Sequence, residues 1–244
     1  MALDLQTTVG ELVKERPARS RILEHLQIDY CCGGKLPLSV ACARRGIDPQ
    51  LVLQQLRESD ARASSSDAEL VDADAMALTE LVDHIEQTHH AYLKAELPRL
   101  DALTKKVNEV HGSTDPRLAD VRRALVALYQ EISSHLMKEE QILFPMIRQL
   151  ESAASVPAFH CGSVANPIQQ MEYEHDNAGN ALAIMHESTD GYQPPEWACN
   201  TYRAMLDGLA HLERDLHQHI HKENNVLFPK AIRLEAELAS GQRA

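Results

Sequence analysis

Apolar residues recur every three to four positions along most of the chain beyond residue 74, a spacing that predicts amphipathic α-helices. Four long helices are predicted, namely Ala75 to Leu97, Pro116 to Gln149, Ile168 to His186 and Glu196 to Leu238. We expect Pro98 to stop or kink the first helix and Pro145 to bend the second, because proline cannot donate the helical hydrogen bond. The expected fold is therefore all-α, with a four-helix up-and-down bundle.

A small module of short helices is predicted before the bundle. Thr8 and Glu11 have the spacing of a capping box, Pro17 can open a helix, Ser39 can start another that Gly46 ends, and Asp48-Pro49 can begin a fourth. The small polar residues that follow predict a linker. The predicted organisation is a helical module over 1–58, a linker over 59–73 and the bundle over 74–244.

Composition and charge agree with a helical bundle and exclude some partners. Aromatic residues make up only 4% of the 244 residues, which is unusual for a β protein. A net charge of -12 argues against binding to nucleic acid or to an anionic membrane surface. No apolar run reaches the roughly 20 residues of a membrane span, and the N-terminus has no signal-peptide pattern, so we expect a cytoplasmic protein.

One sequence phrase occurs twice, 84 residues apart. The first copy has His135 and Glu139 and ends in Phe-Pro, and the second has His219 and Glu223 followed by the same Phe-Pro. Residues four apart lie on one face of a helix, and in both copies this face is the apolar one. Because a buried carboxylate without a cation is costly, the phrase predicts a metal-binding pair in each copy.

Two further histidines extend the repeat. His175 lies 44 residues before His219 at the centre of an apolar stripe, and His90 lies 45 residues before His135. The apolar stripe of the first helix passes through His89, whereas the repeat spacing favours His90, so the residue pattern leaves both open. Four histidines and two glutamates would suit two iron or manganese ions inside a four-helix bundle.

The N-terminal module contains a pair of adjacent cysteines, Cys31 and Cys32, followed by Gly33 and Gly34. We interpret the glycines as a tight turn that presents both thiols at the surface for redox exchange or metal handling. A glycine turn that contains cysteines by chance is the alternative. The chain has five cysteines, an odd number, so free thiols in a reducing compartment are expected.

These motifs resemble the RIC (repair of iron centres) family, bacterial iron–sulfur cluster repair proteins with a hemerythrin-like domain. The resemblance covers essentially the whole chain. It rests on five segments: Asp29 to Lys35, Asp83-His-Ile with His90 before Leu97-Pro98, Ser133 to Pro145, Glu174-His175-Asp176, and His219 to Pro229.

The resemblance implies a site and a function. His90, His135, His175 and His219 would ligate two non-haem iron ions, which Glu139, Glu223 and an oxo group would bridge, and His90 is favoured over His89. Glu131 and Glu174 would deliver protons, and Cys31 and Cys32 would assist thiol or iron transfer.

The expected function is repair of damaged iron–sulfur proteins under nitrosative or oxidative stress, by donating iron or by binding and reducing nitric oxide. An electron donor of unknown identity and a homodimer are compatible with this interpretation. The alternative is an oxygen or nitric oxide carrier or sensor without turnover, which would not need Cys31 and Cys32.

Overall fold

A computed structural model describes residues 3–61 and 71–241. Within these ranges the regular secondary structure is helical, and the only β-type pairing is an isolated bridge between Thr8 and Pro37. The predicted all-α class is confirmed. In the same two ranges, no helix combines the length and apolar content needed to cross a membrane.

The helices have the following bounds in chain order. Four short helices come first: α1 Val9–Glu15, α2 Ser20–His25, α3 Leu38–Arg45 and α4 Pro49–Ala61. Seven helices follow in the rest of the described chain: α5 Leu78–Ile85, α6 Ala91–His111, α7 Leu118–Lys138, α8 Phe144–Ser152, α9 Ala165–Ser188, α10 Asn200–Lys222 and α11 Phe228–Ser240. Single π-helical turns join α5 to α6, α7 to α8 and α10 to α11.

The short helices begin and end close to the predicted residues. The Thr8 and Glu11 side chains form the expected capping box, and Gly46 ends α3 in the left-handed conformation with φ of 68°. Pro17 opens a single 3-10 turn before α2, and Pro49 is the first residue of α4. Apolar residues from α1 to α4 form one core cluster, to which Leu12, Leu23, Leu38 and Leu56 contribute fully buried side chains.

The helix expected to stop or kink at Pro98 does not stop there. Helix α6 continues through Pro98 to His111, because Leu100, Thr104 and Val107 extend its buried stripe beyond the proline. That burial outweighs the loss of one backbone hydrogen bond. The predicted start is also early, since α5 begins at Leu78.

The described chain divides into two compact units, and each contains part of the predicted bundle. The first unit comprises residues 1–82, 153–156 and 217–244, and the second comprises 83–152 and 157–216. In the second unit α7 packs against both α6 and α9. The predicted linker lies mainly on residues 62–70, outside the described ranges, and it stays a prediction.

A buried guanidinium ties α4 to the other helices of the N-terminal module. Arg19, with 5% of its side chain exposed, donates to Asp60 Oδ2 at 2.6 Å, to Glu15 Oε2 at 2.8 Å and to the Leu12 carbonyl at 3.0 Å. Burial alone would raise the pKa of Asp60, but hydrogen bonds from Arg19 outweigh it and lower that pKa.

We expect Asp60→Asn to lower the free energy of unfolding at pH 7 by about 1–3 kcal/mol, because the buried Arg19 keeps only one of its two carboxylate partners, that of Glu15. A carboxyl whose pKa is lowered by folding stabilises the fold above its unfolded pKa and loses that contribution as the pH falls. The deficit should therefore shrink below about pH 4. Urea unfolding of the wild type and the variant at pH 7 and below about pH 4 would measure this difference in the free energy of unfolding. Glu58→Gln, an exposed change on the same helix, is the control, and an equal effect of both variants would contradict the account.

Candidate metal centre

Four side chains of types that can bind a metal come together in the interior of the second unit. Glu139 Oε2 lies 3.3 Å from His135 Nε2 and 3.4 Å from His90 Nε2. His175 Nε2 lies 3.1 Å from His135 Nε2. All four side chains are at most 2% exposed. We call His90, His135, Glu139 and His175 the four-residue cluster.

The chemistry of the four-residue cluster fits a transition-metal cation. A carboxylate with no exposed surface is strongly destabilised in the protein interior unless positive charge lies beside it. Imidazole nitrogen with carboxylate oxygen is the ligand mixture that suits non-haem iron or manganese. Ligand atoms of His135, Glu139 and His175 lie within 4.8 Å of one another, so they could face a common cation.

The His90 ring is oriented by a carboxylate behind it. His90 Nδ1 lies 2.8 Å from Glu140 Oε1, and the Lys94 ammonium donates to the same carboxylate at 2.6 Å. Burial acts to raise the pKa of Glu140, but Lys94 and His90 together lower it. The ionised carboxylate accepts the Nδ1 proton, so that the Nε2 lone pair faces Glu139.

His135 has the same arrangement. Its Nδ1 lies 2.9 Å from Glu174 Oε2, and the carboxylate also accepts a hydrogen bond from Lys138. The hydrogen bond from His135 is the main reason that the pKa of Glu174 falls to about 2. Both rings therefore have the carboxylate partner on Nδ1 that metal-binding histidines have in metal sites. Glu131, the other predicted proton donor, is exposed on α7.

The second copy of the repeat forms a pair in the first unit. His219 Nε2 lies 2.9 Å from Glu223 Oε1, and the two side chains are 1% and 0% exposed. This His219–Glu223 pair reproduces the His135–Glu139 contact at the end of another long helix. The repeat thus encodes the same local geometry twice.

Three π turns occur at predicted ligands. They span Glu86–His90, Glu139–Leu143 and Glu223–Leu227. In the second and third turns the carbonyl of the glutamate accepts the N–H of the phenylalanine five residues later. The second π turn ends two residues before Pro145, and the bend expected at that proline stays a prediction. Such turns are rare in proteins overall, but those that occur often lie at functional sites. The pattern of apolar residues does not reveal them.

The π turn explains why periodicity pointed to His89. It adds one residue to the helix, so the stripe that runs through Leu78, Val82 and Ile85 is shifted by one position beyond it. His89 and His90 are both buried, but His89 Nδ1 binds Asp215 Oδ1 at 2.8 Å, while His90 contacts Glu139.

The expectation that both thiols lie at the surface is wrong for Cys31. Its side chain is 4% exposed, and its thiol and backbone N–H both bind Asp29 Oδ1, at 3.2 Å and 2.9 Å. Cys32 is partly exposed, and the two sulfurs are 3.9 Å apart. The neighbouring Cys32 thiol, together with burial, raises the pKa of Cys31 well above its usual value.

Within the first unit the cysteine loop lies on the helix that carries the His219–Glu223 pair. Asn225 donates to the Cys31 carbonyl at 3.1 Å, and His221 Nδ1 lies 3.3 Å from the Tyr30 carbonyl. A Cβ on Gly34 would overlap Asn225 Oδ1. Gly34 is therefore needed for close approach. The expected tight turn is present, with the Leu36 N–H donating to the Gly33 carbonyl at 2.9 Å, although neither glycine has a positive φ.

Comparison with known proteins agrees with this architecture. A family model described as the hemerythrin HHE cation binding domain matches residues 81–231, and a second, Domain of Unknown function (DUF542), matches residues 5–60. The iron–sulfur cluster repair protein YtfE of Pectobacterium atrosepticum is 38% identical over 228 residues, which are 93% of this chain and 97% of that protein. Its namesake from Escherichia coli O157:H7 is 38% identical over 224 residues, covering 92% and 96%.

The helical fold and the matched domain define a hemerythrin-like, cation-binding protein. Within that class, the chain belongs to the YtfE family of iron–sulfur cluster repair proteins. The resemblance inferred from the motifs is therefore confirmed.

We expect Glu174→Gln to weaken Fe²⁺ binding by about 10- to 100-fold, because a neutral amide holds the His135 ring less firmly than the carboxylate does. Anaerobic competition with a chromogenic chelator would measure the affinity. Asp176→Asn removes one negative charge from an exposed position on α9 and serves as the matched control. Equal affinities in the two variants would show that Glu174 does not support a ligand.

Proposed function

We propose that this chain is a non-haem di-iron protein that repairs iron–sulfur clusters damaged by nitrosative or oxidative stress. The observation that carries the proposal is the pair of buried histidine–glutamate contacts, one in each copy of the repeat, combined with a thiol loop on the second copy. The names of the relatives support the same direction.

The proposed ligand set follows the repeat. Each iron would be held by two imidazoles, drawn from His90, His135, His175 and His219. Glu139 and Glu223 would bridge the two ions. The burial of all six side chains and the identical spacing of the two helical pairs support this assignment.

The protein's own residues would orient and protonate this site. Glu140 and Glu174 hold the Nδ1 protons of His90 and His135, so both rings would present Nε2 lone pairs inward. Glu174 and the exposed Glu131 would relay protons. When bound, the iron ions would supply coordination positions for nitric oxide or oxygen and electrons for nitric oxide reduction, with an external electron donor restoring them.

The thiol loop favours repair over simple carriage of a gas. His221 and Asn225, each two residues beyond a proposed ligand, hold the backbone of Tyr30 and Cys31. A carrier or sensor without turnover would not need two adjacent thiols at this place. We propose that Cys32, the more exposed thiol, receives iron or exchanges with thiols of damaged proteins, and that Cys31 supports it.

Metal binding should determine whether the buried carboxylates stabilise the fold. Without iron, the double variant Glu139→Gln, Glu223→Gln should be at least as stable as the wild type, because two buried charges are removed. With Fe²⁺ at about 100 times its Kd, only the wild type should gain about 2.7 kcal/mol. Anaerobic thermal unfolding would measure both states. Glu109→Gln, Glu187→Gln is the exposed control, and an iron-dependent gain in the buried-site variant would contradict the ligand assignment.

Replacement of Cys31 and Cys32 by serine should abolish repair while leaving the iron content unchanged. The substrate would be a hydro-lyase inactivated by nitric oxide, and recovery of its activity with iron-loaded protein would be followed anaerobically. Cys42→Ser, a buried change in the same module, is the control. Full repair by the double serine variant would contradict a role for the thiols and favour iron release directly from the bundle.

A further inference from the structure

A second nucleophilic site lies in the second unit, away from every residue of the proposed metal centre in the sequence. Cys199 is exposed and immediately precedes α10. Its Sγ lies 3.4 Å from His111 Nε2, at the end of α6. A thiol within hydrogen-bond distance of an imidazole is the arrangement that activates cysteine nucleophiles.

Cys199 also caps a long helix. Its carbonyl accepts the N–H of Arg203, the first hydrogen bond of the 23-residue α10. Backbone N–H groups of the first helical turn therefore point towards the sulfur, where the positive end of the helix dipole favours a thiolate. The hydrogen bond from the Tyr202 N–H is the main cause, and the one from His111 the next, of a Cys199 pKa lowered to about 7.

The imidazole is held in place by two aromatic rings. The His111 centroid lies 5.7 Å from that of Trp197 and 5.8 Å from that of Tyr202. Tyr202 is 2% exposed, and its hydroxyl donates to Asp115 Oδ2 at 3.2 Å, which fixes the ring. Trp197, which contacts the same imidazole, is 47% exposed and offers an apolar surface to an incoming molecule.

We propose that Cys199 is a reactive thiolate, paired with His111, that forms mixed disulfides with low-molecular-weight disulfides such as oxidised glutathione. The thiolate attacks one sulfur of the small disulfide, a bond from Cys199 to that sulfur forms, and the original S–S bond breaks. The departing thiolate takes up the proton that the Cys199 thiol released. One thiol and one disulfide are present before the step, and one thiol and one mixed disulfide after it, so no further oxidant is required.

The expected rate follows from thiolate chemistry. Lowering the pKa from 9.0 to about 7 raises the thiolate fraction at pH 7 by ~50-fold. The lower basicity reduces the intrinsic nucleophilicity by ~10-fold, which leaves a net gain of ~5-fold over an ordinary thiol. Cys161, which is partly exposed and contacts the Met146 sulfur at 3.6 Å, is the internal reference.

The test uses the full chain with glutathione disulfide at pH 7. After acid quenching and digestion, mass spectrometry would quantify the mixed disulfide at each cysteine over time. We expect modification at Cys199 to be ~5-fold faster than at Cys161. Equal or slower modification at Cys199 would overturn the proposal.

His111→Gln tests the pairing. We expect it to slow modification at Cys199 by ~2- to 5-fold and to move the midpoint of the pH–rate curve upwards. Charged groups on the segments around this thiol are Arg203, which donates to the Ala198 and Glu196 carbonyls, Glu196 itself, and Asp115, which accepts from Tyr202. None of them is changed by the variant. His211→Gln, an exposed change on α10, should alter neither readout.

A purely structural effect can be separated from loss of the base. Circular dichroism would establish that His111→Gln retains the helical content of the wild type. If His111→Gln does not fold, Trp197→Phe takes its place. This variant keeps His111 and an aromatic ring against it, so the midpoint of the pH–rate curve at Cys199 should stay where it is in the wild type. An unchanged pH midpoint in a folded His111→Gln protein would show that the imidazole does not activate Cys199.

Discussion

The burial of carboxylates among imidazoles is the interaction on which the rest of this molecule depends. Glu139 and Glu223 have no exposed surface, and each contacts a histidine one helical turn earlier. Removing a carboxylate from water costs several kcal/mol in a real protein interior. A helical core without a cation would be more stable with leucine at these positions, so their presence is best explained by metal binding.

Several features of the fold serve that constraint. Glu140 and Glu174 carry lysine partners of their own, Lys94 and Lys138, and therefore stay ionised behind the ligand rings. Because each Nδ1 shares its proton with one of these carboxylates, the Nε2 nitrogens of His90 and His135 are left available for a cation. A π turn begins at each of Glu139 and Glu223 and leads directly into the next helix. The turns that continue the helices thus also place the two buried glutamates.

The two copies of the repeat have diverged on their outer faces. Asn225 and His221 hold the cysteine loop, whereas their counterparts Gln141 and Met137 are exposed, Met137 by 50%. The inner residues have stayed alike while the outer ones differ. Duplication therefore accounts for two similar histidine–glutamate pairs, of which the second contacts the cysteine loop.

Much of the fold was predictable because helices follow from local patterns. The capping box at Thr8, the helix end at Gly46 and the histidine–glutamate spacing need no tertiary information. The contact of Glu140 with His90 spans 50 residues and could not be read from spacing. Burial of Cys31 depends on Asp29 and on a partner almost two hundred residues away, which no local pattern contains.

The π turns were equally hidden, because a single extra residue in a helix looks like a small break in an apolar stripe. That break made His89 the better candidate by periodicity, although it is His90 that contacts Glu139. Only the repeat spacing and the family motif favoured His90.

The most direct measurement is the iron content of the full chain after anaerobic reconstitution and removal of loosely bound metal. Elemental analysis should give two iron ions per chain, since four histidines and two bridging glutamates are proposed to hold them. One iron ion or none would contradict the central claim that the repeated histidine–glutamate pairs build a di-iron centre.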